Sequence, residues 1–146
     1  MKIDTTPDFL ESVANHPRVY PYVSVKGCGY IRFGKIWDDC IAVVFDTGGW
    51  LFHRQDHNVY EVHTMFLPKS RDVNAKALRA LGYMFDEAGA DLIVTQIAGD
   101  LPHVRRLALR AGFEKTGHQD AAWERDSGPV NVDYFHITRD MWKQRT

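Results

Sequence analysis

The chain has 146 residues, 45% hydrophobic and 25% charged, with a formal net charge of -1 at pH 7. That length suits one domain over residues 1–146, able to bury ~68–70% of its unfolded surface without disulfides or metals. The composition excludes a disordered or fibrous chain, and the balanced charge argues against nucleic acid as a main partner.

No apolar run reaches the ~20 residues of a membrane span. The start, residues 1–13, carries acids where a signal peptide would be apolar. Cys28 and Cys40 form neither a disulfide framework nor a C-x-x-C pair, so both thiols are expected free, in a reducing cytoplasm.

In chain order, the first predicted element is a short helix. Thr6 can cap it, Pro7 suits its first position, and Asp8 and Glu11 favour its positive end. His16-Pro17 ends it. Residues 18–40 carry no clear period, because Gly27, Gly29 and Gly34 interrupt every pattern. Next, 41–45, 50–53 and 59–67 read as three strands of an antiparallel meander around two turns. The third alternates, with Tyr60, Val62, Thr64 and Phe66 on one face and Glu61, His63, Met65 and Leu67 on the other.

Pro68 ends that strand. Val73, Ala77, Leu78, Leu81, Met84, Phe85 and Ala88 then fall at helical spacing, and Gly89 suits a helix stop. Residues 92–97 form a buried-type strand. A second helix spans about 102–111, with Arg105, Arg106 and Arg110 on its solvated side. Two further strands flank the turn at 126–128. The order predicts a mixed α/β sheet.

A long helix directly after a strand offers free N–H groups and a positive dipole end, which suit a phosphate. Arg71 and Lys76 flank that start. Any strand–turn–helix unit looks alike, with its basic residues simply solvated, so this feature alone leaves both readings open.

The segment 59–68, then Arg71 to Lys76 with its helix, then 92–97, then Val104 to Gly112-Phe113, resembles the GNAT N-acetyltransferase superfamily over about residues 41–137. Asn15 to Val19, Tyr60 to His63 and Asp140-Met-Trp142 look more narrowly like small GNAT-like proteins of tailed bacteriophages and prophages. The resemblance implies a single-domain GNAT fold, its mostly antiparallel sheet splayed at the centre, with helices on both faces. It implies acetyl-CoA as co-substrate, with no metal. The backbone of Met65, Phe66 and Leu67 would bond the pantetheine arm. The amides of Arg71, Asp72, Val73, Asn74, Ala75, Lys76 and Ala77 would hold the pyrophosphate.

The chain departs from the family in three places. Asn74 and Lys76 replace small residues of the phosphate loop, where glycine lets the backbone approach closely. Leu101 replaces a family Asn, and Ala108 a family Tyr that protonates the leaving thiolate.

A base must take the amine's proton. Glu61 and His63 share a strand face near the splay. His63 needs little tuning; Glu61 would need its pKa raised, or would work through water. Each also has a structural reading, Glu61 as a cross-strand ion pair and His63 as a satisfied sheet residue. His53, His57 and His63 match no known metal spacing. Ser70 and Ser127 have no triad partner. His103 with the helix arginines could meet the adenosine phosphate. Two functions remain: acetyl transfer from acetyl-CoA to an amine on a small molecule or protein, or a catalytically silent GNAT-fold phage protein acting in virion assembly or host binding. A homodimer fits either, as does the host cytoplasm.

Overall fold

The computed structural model describes residues 1–145. Its centre is the meander that the alternation predicted: β2 (Cys40–Phe45), β3 (Gly48–Asp56) and β4 (Val59–Phe66), paired antiparallel. A short β1 (Lys2–Asp4) extends one edge. On the other side come β5 (Leu92–Ala98), β7 (Gly128–Thr138) and β6 (Glu114–Arg125), giving the order β1-β2-β3-β4-β5-β7-β6. Among the described residues only β4 and β5 run parallel, because the crossover through a helix joins them.

One face packs α3 (Val73–Gly82), α4 (Pro102–Ala111) and the terminal α5 (Arg139–Gln144) over Phe52, Phe85, Ile93, Phe135 and Ile137. Each such fully buried side chain contributes ~1.5–3 kcal/mol. The other face carries α1 (Asp8–Ala14), whose Leu10 and Val13 press on Leu51 and Met65, and a four-residue α2 (Tyr20–Val23).

The predicted long helix changes pitch. After α3, Tyr83–Glu87 form a π turn, with Ala88 N–H bonded to Tyr83 C=O at 3.0 Å. Arg139 caps its end, donating to the carbonyls of Phe85 and Ala90. Trp142 stacks on Phe85 at 5.8 Å.

Arg105 departs from the predicted solvated face of α4. It reaches the buried carboxylate of Asp133 at 2.6 Å, where Lys115 Nζ (3.2 Å) and His118 Nδ1 (2.5 Å) also converge. A buried carboxylate needs such partners, so α4 is fastened to the outer strands by charge as well as by apolar contact.

Candidate active site

The sheet opens where the β4–β5 pairing stops. Paired positions run Val59↔Leu92, Tyr60↔Ile93 and Glu61↔Val94, and go no further. The last bridge is Thr95 Oγ1 donating to Val62 C=O at 3.0 Å. Beyond it a cleft of about 490 Å³ opens between β4 and the start of α4, lined by Thr64, Met65, Phe66, Leu67, Leu101 and Val104 among others.

Register decides which backbone groups face this gap. The β3–β4 pairing is unbroken from Arg54↔Tyr60 to Gly48↔Phe66. Val62 C=O faces β5, so by the two-residue period Thr64 and Phe66 also offer their N–H and C=O groups to the gap. Met65 and Leu67, expected to bond the same arm, turn their backbone groups to β3; Leu67 N–H donates to Thr47 C=O at 2.8 Å. The side chain of Met65 still lines the cleft. Gly48 permits the tight strand approach here, since a Cβ on it would lie 2.3 Å from Met65 O and 2.6 Å from Phe66 Cα.

At the cleft's end the chain turns sharply into α3. Ser70 Oγ bonds Thr47 and the carbonyl of Leu67. Asp72 is left-handed, with φ 56°, and makes no side-chain cap. The first helical bond runs from Lys76 N–H to Asp72 C=O at 2.9 Å. The N–H groups of Val73, Asn74 and Ala75 precede it and donate to nothing else among the described residues. Of the amides expected at 71 to 77, Lys76 N–H is already used and Ala77 is buried in the core; those of Val73, Asn74 and Ala75 sit in the open first turn of α3. The Lys76 ammonium is turned away, 3.3 Å from Asp46 Oδ1. Arg71 is exposed and unpaired among the described residues. Arg18, Lys69 and His103 line the same cleft; Arg18 gave no signal, lying where the sequence has no period.

Glu61 and His63 stand together on the α1 side of β4. His63 Nε2 lies 3.1 Å from Glu61 Oε1, and Gln96 Nε2 donates to Glu61 Oε2 at 3.2 Å. The His63 hydrogen bond, more than any other contact, holds the Glu61 carboxyl below its ordinary range despite partial burial. Glu61 is thus ionised at neutral pH, which suits an orienting anion better than a base with a raised pKa.

A second chamber of about 130 Å³ shares Thr64, Met65, Leu101 and Val104 with the cleft and is also lined by His63. Tyr22 and Val23 of α2 belong to both spaces. Arg125, a residue without any sequence signal, fixes that roof. It is 5% exposed, and all five of its N–H donors are engaged. Nε and Nη2 hold Asp100 (2.7 and 3.1 Å), Nη1 bonds the carbonyls of Pro21 and Ser24, and Nη2 also bonds that of Tyr22.

The fold as a whole has counterparts among solved structures. Spermidine N-acetyltransferase from Vibrio cholerae, in complex with CoA and spermine, matches with a TM-score of 0.80 at 16% identity, covering 97% of this chain and 96% of that one. The fold is that of the GNAT acetyltransferases. A point mutant of the same enzyme matches at 0.76, with 16% identity and 99% coverage of both chains, and a dodecameric form at 0.68, with 17% identity over 78% and 74%. No protein-family model and no curated protein sequence matches the chain.

Within this GNAT fold, Ala108 is buried on α4 beside a void of about 40 Å³, so no phenol reaches the gap from that position. Among the described residues no group of three or more His, Cys, Asp or Glu side chains is placed to hold a metal. Cys28 is exposed; burial pushes the Cys40 thiol up to about 11. Among them, too, no helix is long and apolar enough to cross a membrane.

Proposed function

We propose that this chain is a GNAT-type N-acetyltransferase, one domain in the cytoplasm, moving an acetyl group from acetyl-CoA to an amine of a small molecule or protein. The observation that carries the reading is a pair of adjoining spaces that share Thr64, Met65, Leu101 and Val104, one lined by Val73 at the start of α3 and the other by His63, the partner of Glu61. The residues present fit the co-substrate. The α3 amides, helped by Arg71, suit the pyrophosphate. Thr64 and Phe66 offer backbone partners to the pantetheine arm.

When bound, acetyl-CoA supplies an acetyl group activated for transfer. The chain's own part is orientation and proton handling. With Nε2–H of His63 donated to Glu61, the lone pair lies on Nδ1, free to accept the amine's proton. The Glu61 carboxylate then stabilises the imidazolium.

A second reading, a catalytically silent GNAT-fold protein of phage type, draws on Ala108 and on the Lys76 ammonium bound to Asp46. A thermal-shift and calorimetric titration separates the two. Acetyl-CoA at 100 times its dissociation constant stabilises the fold by ~2.7 kcal/mol, a rise of several degrees in Tm. No shift and no heat at millimolar acetyl-CoA overturns the acetyltransferase.

A further inference from the structure

The acceptor chamber is a half-open recess of about 130 Å³ beside the larger cleft, with room on its walled side for about one ring. Ile31, Phe33, Trp123 and Tyr22 form its outer walls, with His63 and Gln96 at the polar end. No Asp, Glu, Lys or Arg lines it among the described residues.

One negative charge reaches that polar end, the carboxylate of Glu61 behind His63 and Gln96. The neighbouring acids are engaged elsewhere. Glu11 Oε2 accepts from Phe33 N–H at 2.7 Å, and Asp100 holds Arg125. The walls are also fixed. Asn15 exchanges two 2.8 Å hydrogen bonds with the backbone of Ile31, and Arg125 lies over the Trp123 ring at 5.7 Å.

We propose that the acceptor is a small primary amine with one positive charge and an apolar body about the size of one ring, such as an arylalkylamine, and not a polyamine. This rests on the acetyltransferase reading and adds the substrate class. The ammonium is drawn to Glu61 and gives its proton to His63, while the body lies among Ile31, Phe33 and Trp123. A second ammonium a few carbons along would be desolvated against those walls with no counter-charge. The solved structure with spermine therefore shares the fold and not the acceptor.

The test has two readouts on the full chain. Calorimetry of 2-phenylethylamine, isoamylamine, putrescine and spermidine without acetyl-CoA reports chamber binding. Thiol release with saturating acetyl-CoA reports transfer. The two monoamines are expected to bind, and 2-phenylethylamine to exceed spermidine in kcat/KM by about tenfold or more. Phe33→Glu, with its fold checked by melting, adds a wall carboxylate and is expected to reverse that order. Spermidine preferred by wild type overturns the proposal and leaves acetyl transfer standing. Monoamine binding without turnover overturns acetyl transfer and leaves the chamber's selectivity. No amine binding at all overturns the proposal whatever acetyl-CoA does.

Discussion

His63 and Glu61 are two residues apart on one face of β4, and their side chains meet at 3.1 Å between Nε2 and Oε1. A strand places such neighbours on the same side, and the end of β4–β5 pairing just there leaves room for a substrate. In the proposed transfer the contact divides the work: the Glu61 carboxylate stays ionised, and His63 keeps Nδ1 for the amine's proton.

His63→Ala is expected to lower kcat by ~10²–10⁴ with acetyl-CoA affinity unchanged. Glu61→Gln costs less, because it removes the carboxylate that holds His63 and stabilises the imidazolium formed on proton transfer. Pre-steady-state and steady-state curves for the three proteins check this. Full activity in both variants removes the pair from catalysis.

At the start of α3 the left-handed residue is Asp72, while Asn74 lies inside the helix. Asp72→Gly takes a carboxylate away from the free amides, and is expected to tighten acetyl-CoA binding. Its Tm stays near wild type, since relieved strain and a freer unfolded chain oppose each other. Asn74→Gly loses up to ~0.5 kcal/mol of helix stability and gains no affinity. Calorimetric titration of both variants decides it.

Arg125→Met leaves Asp100 and the carbonyls of Pro21, Tyr22 and Ser24 without their donor. The cost is ~2–3 kcal/mol, below the ~3–5 of a fully buried pair, because Asp100 is one-third exposed and regains water. Arg125 is a positioning residue, so KM for the amine rises more than kcat falls. Arg125→Lys recovers stability in part but not the amine KM, since one ammonium cannot span those acceptors.

Stability carries a pH signature from the α4 anchor. Hydrogen bonds that His118 donates to Asp133, then to Asp120, raise its pKa, and His118 is the first of the groups that lower that of Asp133, beside Lys115 and Arg105. A raised histidine contributes fully below its unfolded value of ~6.5, and the contribution is lost as pH rises through the folded value. The depressed Asp133 contributes above ~3.9, and is lost as pH falls through its folded value. The Tm advantage of wild type over His118→Gln therefore shrinks from pH 6 to pH 9. A constant difference rules out this coupling.

The sequence by itself determined what local periodicity and turn chemistry encode. Alternation in 59–67 gave β4 and put Glu61 and His63 on one face. Helical spacing from Val73 gave the helix, and Gly112 its neighbour's stop. The short β1 and α5 carry too few residues to show a period, and the π turn keeps the apolar positions of the helix it interrupts. Tertiary structure alone decided the rest. The gap exists because parallel pairing ends at Glu61↔Val94, and register within it assigns Thr64 and Phe66, not Met65 and Leu67, to the open edge. The chamber beside His63 draws on Tyr22, Phe33, Gln96 and Trp123. Arg125 meets the carbonyl of Tyr22 across 103 positions of chain. Contacts of that separation leave no pattern in a linear sequence, because each partner is a solitary residue whose meaning depends on how the sheet folds around it.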